Sequence, residues 1–464
     1  MASPGTASNP IRIAVIGAGP AGFYAAEHFF KQKDLSVQVD LFDKLPTPYG
    51  LVRAGVAPDH QKIKNVTRVF EKTASNPRFR FFGNVEYGKH IQLSDLKNFY
   101  HQVYFSTGTA VDRRLNIVGE NLEGSHSATE FVAWYNGHPD YRDLSFDLSQ
   151  ESAVVIGVGN VAIDVARILC KTADELRSTD IADYALDALA ESNVKSVSLV
   201  GRRGPAQAAF TVPEIKEMGE LSDASIDILQ DELTLDEYSL ATLEATPNRL
   251  VQKKLEIMSS YVGGSNQDAT RQCHLRFLYS PVALLSNDNG AVRSVKVVKN
   301  TLVPQDSGRL GARATEEFEE WPAGLVFRSV GYRGLPLKDL PFNESWGVVN
   351  NLEGRITRDD GSIVIGCYVG GWIKRGPSGV IGTNKPDAVE TVSCMIQDIA
   401  NEKHFHPDNT EDVALINFLK SAQPDYVTFD DWQQIDNAER IAGEKSGRPR
   451  VKLTSVPEML AAAK

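Results

Sequence analysis

The chain has 464 residues, 42% of them hydrophobic and 23% charged, and a net charge of −11. That length supports two or three domains around a large buried core. The acidic balance argues against nucleic acid as a partner, and no apolar run approaches the roughly 18 residues that stable membrane insertion requires.

Residues Met1 to Pro10 are small and polar with no basic residue before Arg12, so they read as neither a signal nor a transit peptide. Cys170, Cys273, Cys367 and Cys394 form no CxxC and fit no zinc or cluster spacing. They read as reduced, buried thiols of a cytoplasmic protein.

Ile11 to Ile16 is an apolar run opening onto Gly17, and 21–33 has helical spacing through Ala25, Ala26, Phe29 and Phe30. With a strand at Val37 to Phe42, this is a βαβ unit. Pro46 to Asp59 reads as an extended loop, Lys62 to Thr73 as a helix, and Phe79 to Phe82 and Val103 to Ser106 as strands. A second unit opens at Ala153, with Gly157 at the turn, a helix through Leu169, an insertion over 171–193 and a strand over 194–200. Further on come a helix over 248–259, short strands, a strand over 362–369, a helix over 384–402 and a helical tail from 405. Two such openings about 140 residues apart predict an α/β protein with two Rossmann-like dinucleotide-binding domains. The second is inserted in the first: 1–109 and 331–404 form one domain, 110–330 the other, and 405–464 a C-terminal helical extension.

In IAVIGAGPAGFYAAEHF, Gly17, Gly19 and Gly22 stand as GxGxxG between strand and helix. Gly17 allows the turn, Gly19 lets backbone approach a pyrophosphate, and Gly22 lets helix and strand pack closely. The helix start offers free N–H groups to phosphate. Asp43 ends the next strand, where a carboxylate binds a ribose diol. Pro20, Ala21 and Gly22 complete a GAGPAG run of the FAD kind.

In AVVIGVGNVAIDVARIL, Gly157, Gly159 and Ala162 form GxGxxA. The next strand ends in Gly201-Arg202-Arg203 with no carboxylate. Guanidiniums there attract a 2′-phosphate with bidentate geometry, which favours NADP(H) over NAD(H). A flavin that stays and a nicotinamide that visits make an electron-transfer flavoprotein, with the cofactors carrying the chemistry.

Four stretches, LVRAGVAPDH at 51–60, GVGNVAIDVAR at 157–167, GRRGPAQAAFT at 201–211 and GGWIKRGPSGVIGT at 370–383, resemble adrenodoxin reductase and its bacterial ferredoxin–NADP⁺ reductase relatives. The resemblance runs from about Ile11 to Glu402, and the tail, with DDWQQID and GRPRVKLTSV, resembles the extension of bacterial members. It implies transfer of electrons between NADPH and an acidic ferredoxin-type iron–sulfur protein, by hydride transfer to FAD and single-electron transfers onward. It implies a bacterial cytoplasmic location, or the mitochondrial matrix if a presequence was removed. By the same resemblance Ala21, Asp43, Leu51, Val85, Trp372, Gly379, Val380 and Ile381 contact FAD. Gly157, Val158, Gly159, Asn160, Val161, Arg202, Arg203, Glu214 and Gly379 contact NADP, and His60 and Asp164 form a proton-relay pair. Asp43 stands where many members have Glu, and YFSTGT at 104–109 replaces a more usual apolar strand.

Tyr368 to Trp372 lacks the Asp that commonly ends an FAD domain, so Trp372 is expected over the flavin ring in its place. Lys374 and Arg375 beside it, and Arg249, Lys253 and Lys254 on a helix, are candidate contacts for an acidic partner, screened by salt. Two other readings stay open: the flavin-bearing NADPH oxidoreductase subunit of a larger complex, and a redox-sensing flavoprotein without turnover. Subunits of the glutamate-synthase type usually carry cluster cysteines before the first fingerprint, and no cysteine here precedes Cys170.

Overall fold

The computed structural model describes residues 4–464. All six residues of the strand Ile11–Ile16 are buried, as the middle of a parallel sheet covered on both faces demands. Its sheet runs Asn351–Leu352, Arg355–Thr357, Ile363–Val369, Gln102–Phe105, Ile11–Ile16, Val37–Phe42 and Phe79–Phe82. The last five are parallel and the first two form an antiparallel edge. The register pairs Ile16 with Phe42 and with Phe105, and Phe105 with Val369. Gly17, Asp43, Ser106 and Gly370 therefore follow four adjacent strand ends on one rim of the sheet.

The second sheet is parallel throughout: Ser125–Ser127, Leu325–Arg328, Ser152–Ile156, Ser196–Gly201, Arg271–Phe277 and Ala224–Asp227. Against it lies a three-stranded antiparallel sheet, Tyr279–Ser286, Val292–Pro304 and Leu310–Pro322. Val154, Ile156 and Val200 of the former share a core with Val295, Val297 and Trp321 of the latter. The chain leaves the first unit at Val111–Asp112 and returns at Tyr332–Arg333, and these two segments pair antiparallel.

The helices differ in detail from the expected ones. Pro20–Phe30 starts on Pro at its first turn, where a missing N–H costs nothing. The helix expected over 62–73 is two, Gln61–Lys64 and Thr67–Ala74. Lys64 is buried on Asp180 while Ile63 is exposed, which inverts the burial that amphipathic spacing implies. The loop expected over 46–59 contains the turn of helix Leu51–Ala54.

The tail is a strap rather than an appendix. Its helices are Asp412–Ala422, Phe429–Lys445 and Val456–Ala462. Leu415 and Leu419 enter the core on one face of the first sheet, and Trp432, Ile435 and Met459 enter the core on the other. Arg448 then reaches the second unit, donating to the carbonyls of Thr179 and Ile181 and to Asp183.

Glu439 locks the strap to the first unit. It is fully buried, accepts two hydrogen bonds from Arg53 (2.5 and 2.8 Å), one from Arg450 (3.0 Å) and one from the Leu453 amide (2.9 Å). Burial alone would raise its pKa; the two guanidiniums reverse this and hold it below the usual range. The stabilisation is therefore present above the ordinary glutamate pKa and is lost as pH falls through the lowered value. Glu439→Gln should cost about 1–3 kcal/mol, because it leaves Arg53 without its carboxylate while Arg450 keeps Asp436. A urea midpoint unchanged at pH 7 would show that the network carries no stability.

Candidate active site

The first turn is shaped by steric exclusion. Gly17 has φ +107°, and a Cβ there would lie 2.5 Å from the Ser106 carbonyl oxygen. A Cβ on Gly22 would press on the carbonyl of Gly17, so only glycine lets helix and strand meet. Gly19 is different: a Cβ there meets nothing within 4 Å, leaving open space at the helix N-terminus. Asp43 stands beside the turn, accepting from the amides of Ala18 (2.8 Å) and Leu45 (2.9 Å). Val85 is buried behind it and donates its amide to the Asp43 carbonyl, while Leu51 is exposed on the other side of the segment.

The second turn repeats the design. Gly157 has φ +137°, and a Cβ would collide with the Ser329 carbonyl; Gly159 faces open space. Ala162 is fully buried, Asn160 accepts the Thr211 amide at 2.9 Å, and the Val158 carbonyl takes the amides of Ala209 and Phe210. Arg202 is exposed and Arg203 half-buried; among the described residues neither guanidinium has a hydrogen-bond or ion-pair partner. Burial, then the charges of Arg202 and Arg309, lower the pKa of Arg203. Three guanidiniums with no counter-ion fit a phosphate, and the two open glycines fit two pyrophosphates.

The profile of the family described as pyridine nucleotide-disulphide oxidoreductase matches residues 11–197. The NADPH-ferredoxin reductase FprA of Mycobacterium tuberculosis is 45% identical over 461 residues, covering 97% of this chain and 98% of that protein. The chain belongs to the adrenodoxin reductase-like ferredoxin–NADP⁺ reductase family. The mitochondrial NADPH:adrenodoxin oxidoreductase of Arabidopsis thaliana is 40% identical over 467 residues, 98% of this chain and 96% of that one. The solved structure of Mycobacterium tuberculosis FprA in complex with NADPH superposes with a TM-score of 0.91 at 44% identity, covering 98% of this chain and all of that one.

Among the residues that the family resemblance singled out, several converge between the two units. Gly371 packs against Ala21, where a Cβ would lie 2.8 Å from that of Ala21, so the GGW segment lies on the first turn. Trp372 stacks on Tyr332 (centroids 5.7 Å, planes 29° apart). Gly379 has φ +79°, Val380 is exposed and Ile381 half-buried. Glu214 is 8% exposed and its Oε2 is buried without a partner; burial raises its pKa.

His60 lies beside Asp164 but makes its shortest contact elsewhere. Its Nδ1 is 3.9 Å from Asp164, beyond hydrogen-bonding range, and Arg167 holds Asp164 at 2.5 Å while also bonding Asp59. The close partner of His60 is Glu217, at 2.7 Å from Nε2. His60 and Asp59 come from the first unit, Glu217, Arg167 and Asp164 from the second. These contacts thus close the seam between the nucleotide turns.

Burial, the largest influence, would lower the pKa of His60, but the hydrogen bond to Glu217 together with the charges of Asp164 and Asp59 raises it on balance; the same bond lowers that of Glu217. The contact is fully present below the ordinary histidine pKa and weakens as pH rises through the raised one. Glu217→Gln is expected to move the His60 titration, followed by NMR, to more acid pH. An unmoved titration would remove Glu217 as the controlling group.

Three expectations are corrected. Lys374 is 8% exposed and bonded to Glu390 (2.5 Å) and Asp387 (3.1 Å), and Arg375 bonds Ser378 and Asn384, so neither is a free surface charge. Lys254 is buried on the Ala208 carbonyl and over the Phe210 ring, and Lys253 pairs with Glu256. Lys254 therefore leaves the second basic patch, while Arg249 and Lys253 stay exposed on its helix. Nor is the GGW segment without a carboxylate: Asp387, on the helix Asn384–Ala400, accepts the Gly371 amide at 2.6 Å, one residue from Trp372. Glu217, Arg309 and Asp387 escaped sequence reasoning. Only Glu217, three residues beyond Glu214 on one helix, stood close to a residue already singled out.

Proposed function

We propose that this chain is an NADPH–ferredoxin reductase, with FAD at the Gly17 turn and NADP(H) at the Gly157 turn. The observation that carries the reading is the pair of glycine turns, each with room for a phosphate, the second flanked by three arginines without counter-ions. On this reading residues 1–109 and 331–404 bind FAD and 110–330 bind NADP(H). FAD, when bound, accepts a hydride and passes its electrons on singly.

The chain's own part is binding, orientation and proton control. Gly17, Gly19, Pro20, Ala21 and Gly22 hold the FAD pyrophosphate, and Asp43 takes the ribose through the faces its amide contacts leave free. Leu51 and Val85 flank the cofactor, and Trp372 with Gly379 to Ile381 bounds the flavin side. Gly157 to Val161 hold the NADP pyrophosphate. Arg202 and Arg203 bind the 2′-phosphate, with Arg309 from the hairpin tip as a third cation. Glu214 Oε2 is a ready acceptor for a hydroxyl or amide donor. His60, whose pKa is raised with Glu217 beside it, can hold a proton at the seam, with Asp164 beyond it. All four cysteines are free and buried, Cys170 beside Cys273, which suits the reducing bacterial cytoplasm.

The test is purification followed by two assays. The protein should be yellow and should reduce ferricyanide with NADPH. With an added ferredoxin it should reduce cytochrome c, and the rate should fall steeply as salt rises. Flavin with no ferredoxin-dependent rate would favour the sensing alternative, and absence of flavin would overturn the reading.

A further inference from the structure

Where the tail crosses from the first unit to the second, an open cavity of about 240 Å³ remains. It lies behind the segment 49–54, whose other side carries the first nucleotide turn: the Tyr49 amide donates to the Ala18 carbonyl at 2.8 Å, and Gly50 touches Gly19. None of the residues assigned above to FAD or NADP(H) lines it.

The walls are unusually cationic. Arg53, Lys64, Arg68, Arg440, Arg450 and Lys452 line the cavity. Only four carboxylates neutralise them. Asp180 serves both Lys64 (2.6 Å) and Lys452 (3.5 Å). Asp436 serves Arg440 (2.6 Å) and Arg450 (2.7 Å), Glu439 serves Arg53 and Arg450, and Glu71 lies 3.9 Å from Arg440. Arg68 is exposed and, among the described residues, has no partner. Lys64 is 9% exposed and Lys452 6%, so one buried aspartate faces two buried ammonium groups. Burial lowers the pKa of both lysines. Tyr49 is 4% exposed, and the Trp432 ring lies edge-on to it at 5.7 Å. A single buried aspartate shared by two lysines, with an unpaired arginine at the mouth, leaves the cavity short of negative charge.

We propose that this cavity is an anion-binding site, separate from both nucleotide turns, that takes a small phosphate-class anion carrying at least two negative charges. Its guanidinium forks suit phosphate oxygens, and its six basic side chains against four carboxylates favour an anion over a neutral or cationic ligand. Free diphosphate and the phosphate tail of a nucleotide share this chemistry.

The test titrates inorganic diphosphate, and separately ATP, into the FAD-loaded protein at low salt by calorimetry. Three proteins are compared: the unaltered chain, Arg68→Gln with Arg440→Gln, and Arg202→Ala with Arg203→Ala. Arg68 and Arg440 are solvent-facing, so their removal leaves the buried network in place. The expected result is one saturable diphosphate site that weakens about tenfold or more in the Arg68/Arg440 variant and persists in the Arg202/Arg203 variant. ATP binding with the same dependence identifies a nucleotide tail as a possible source; diphosphate binding alone identifies a free anion. The proposal is overturned by no saturable binding of either probe, by equal affinity in the Arg68/Arg440 variant, or by loss of binding in the Arg202/Arg203 variant. That last outcome would place the anion at the NADP turn and leave the functional reading intact.

Discussion

Arg202→Ala combined with Arg203→Ala is expected to lower kcat/KM for NADPH by roughly 100-fold or more, and for NADH by no more than about threefold. Neither guanidinium has a protein partner among the described residues, so no internal ion pair is lost with them. Arg203 is half-buried beside Arg202 and Arg309; burial first, then their repulsion, lowers its pKa, and an anion there would offset both. A charge-assisted hydrogen bond contributes roughly 1.5–3 kcal/mol, and two at the lower end give the stated factor; the lower end is chosen because Arg202 is exposed and screened by solvent. The loss should reside mainly in KM, since the phosphate lies far from the reacting ring. Steady-state kinetics with both nucleotides checks this. Equal losses with NADPH and NADH would mean that the arginines support the fold of the turn instead.

The second large effect concerns Gly19 against Gly22. Gly19→Val should yield a folded protein that purifies without flavin. The residue has φ −81° and ψ −177°, extended backbone that valine adopts readily, and a Cβ there meets nothing. The space it would fill is the space a pyrophosphate needs at the helix start. Gly22→Val should instead fail to fold, because its Cβ is forced onto the Gly17 carbonyl and against Leu41. Absorbance at the flavin band and circular dichroism of the two variants distinguish a lost cofactor from a lost fold. A yellow Gly19→Val protein would show that FAD does not lie against this turn.

Much of this site could be read directly from the chain. A glycine's freedom from a Cβ and an apolar run six residues long are local properties, so both turns and the strands before them were visible in the order of residues. The departure at Tyr104 was explained only by the fold: Gly370 follows the strand paired with it, and a Cβ there would collide with the Tyr104 hydroxyl. Charge was where sequence reading went astray. Lys254, Lys374 and Lys64 have the composition of surface residues, yet each is buried on an acceptor at the far end of a loop or on another element: Ala208, Glu390 with Asp387, and Asp180.

The amino-acid order by itself determined that two phosphate-cradling turns exist, and which carries arginine in place of a carboxylate, because both depend on residues only a few positions apart. The tertiary structure alone decided that His60 meets Glu217, that Arg309 joins the arginine pair, and that the tail clamps one unit to the other around a cationic cavity. Those contacts join groups more than 100 residues apart, and the energy of a buried charge is set by whichever partner folding brings within about 4 Å, which no local pattern records.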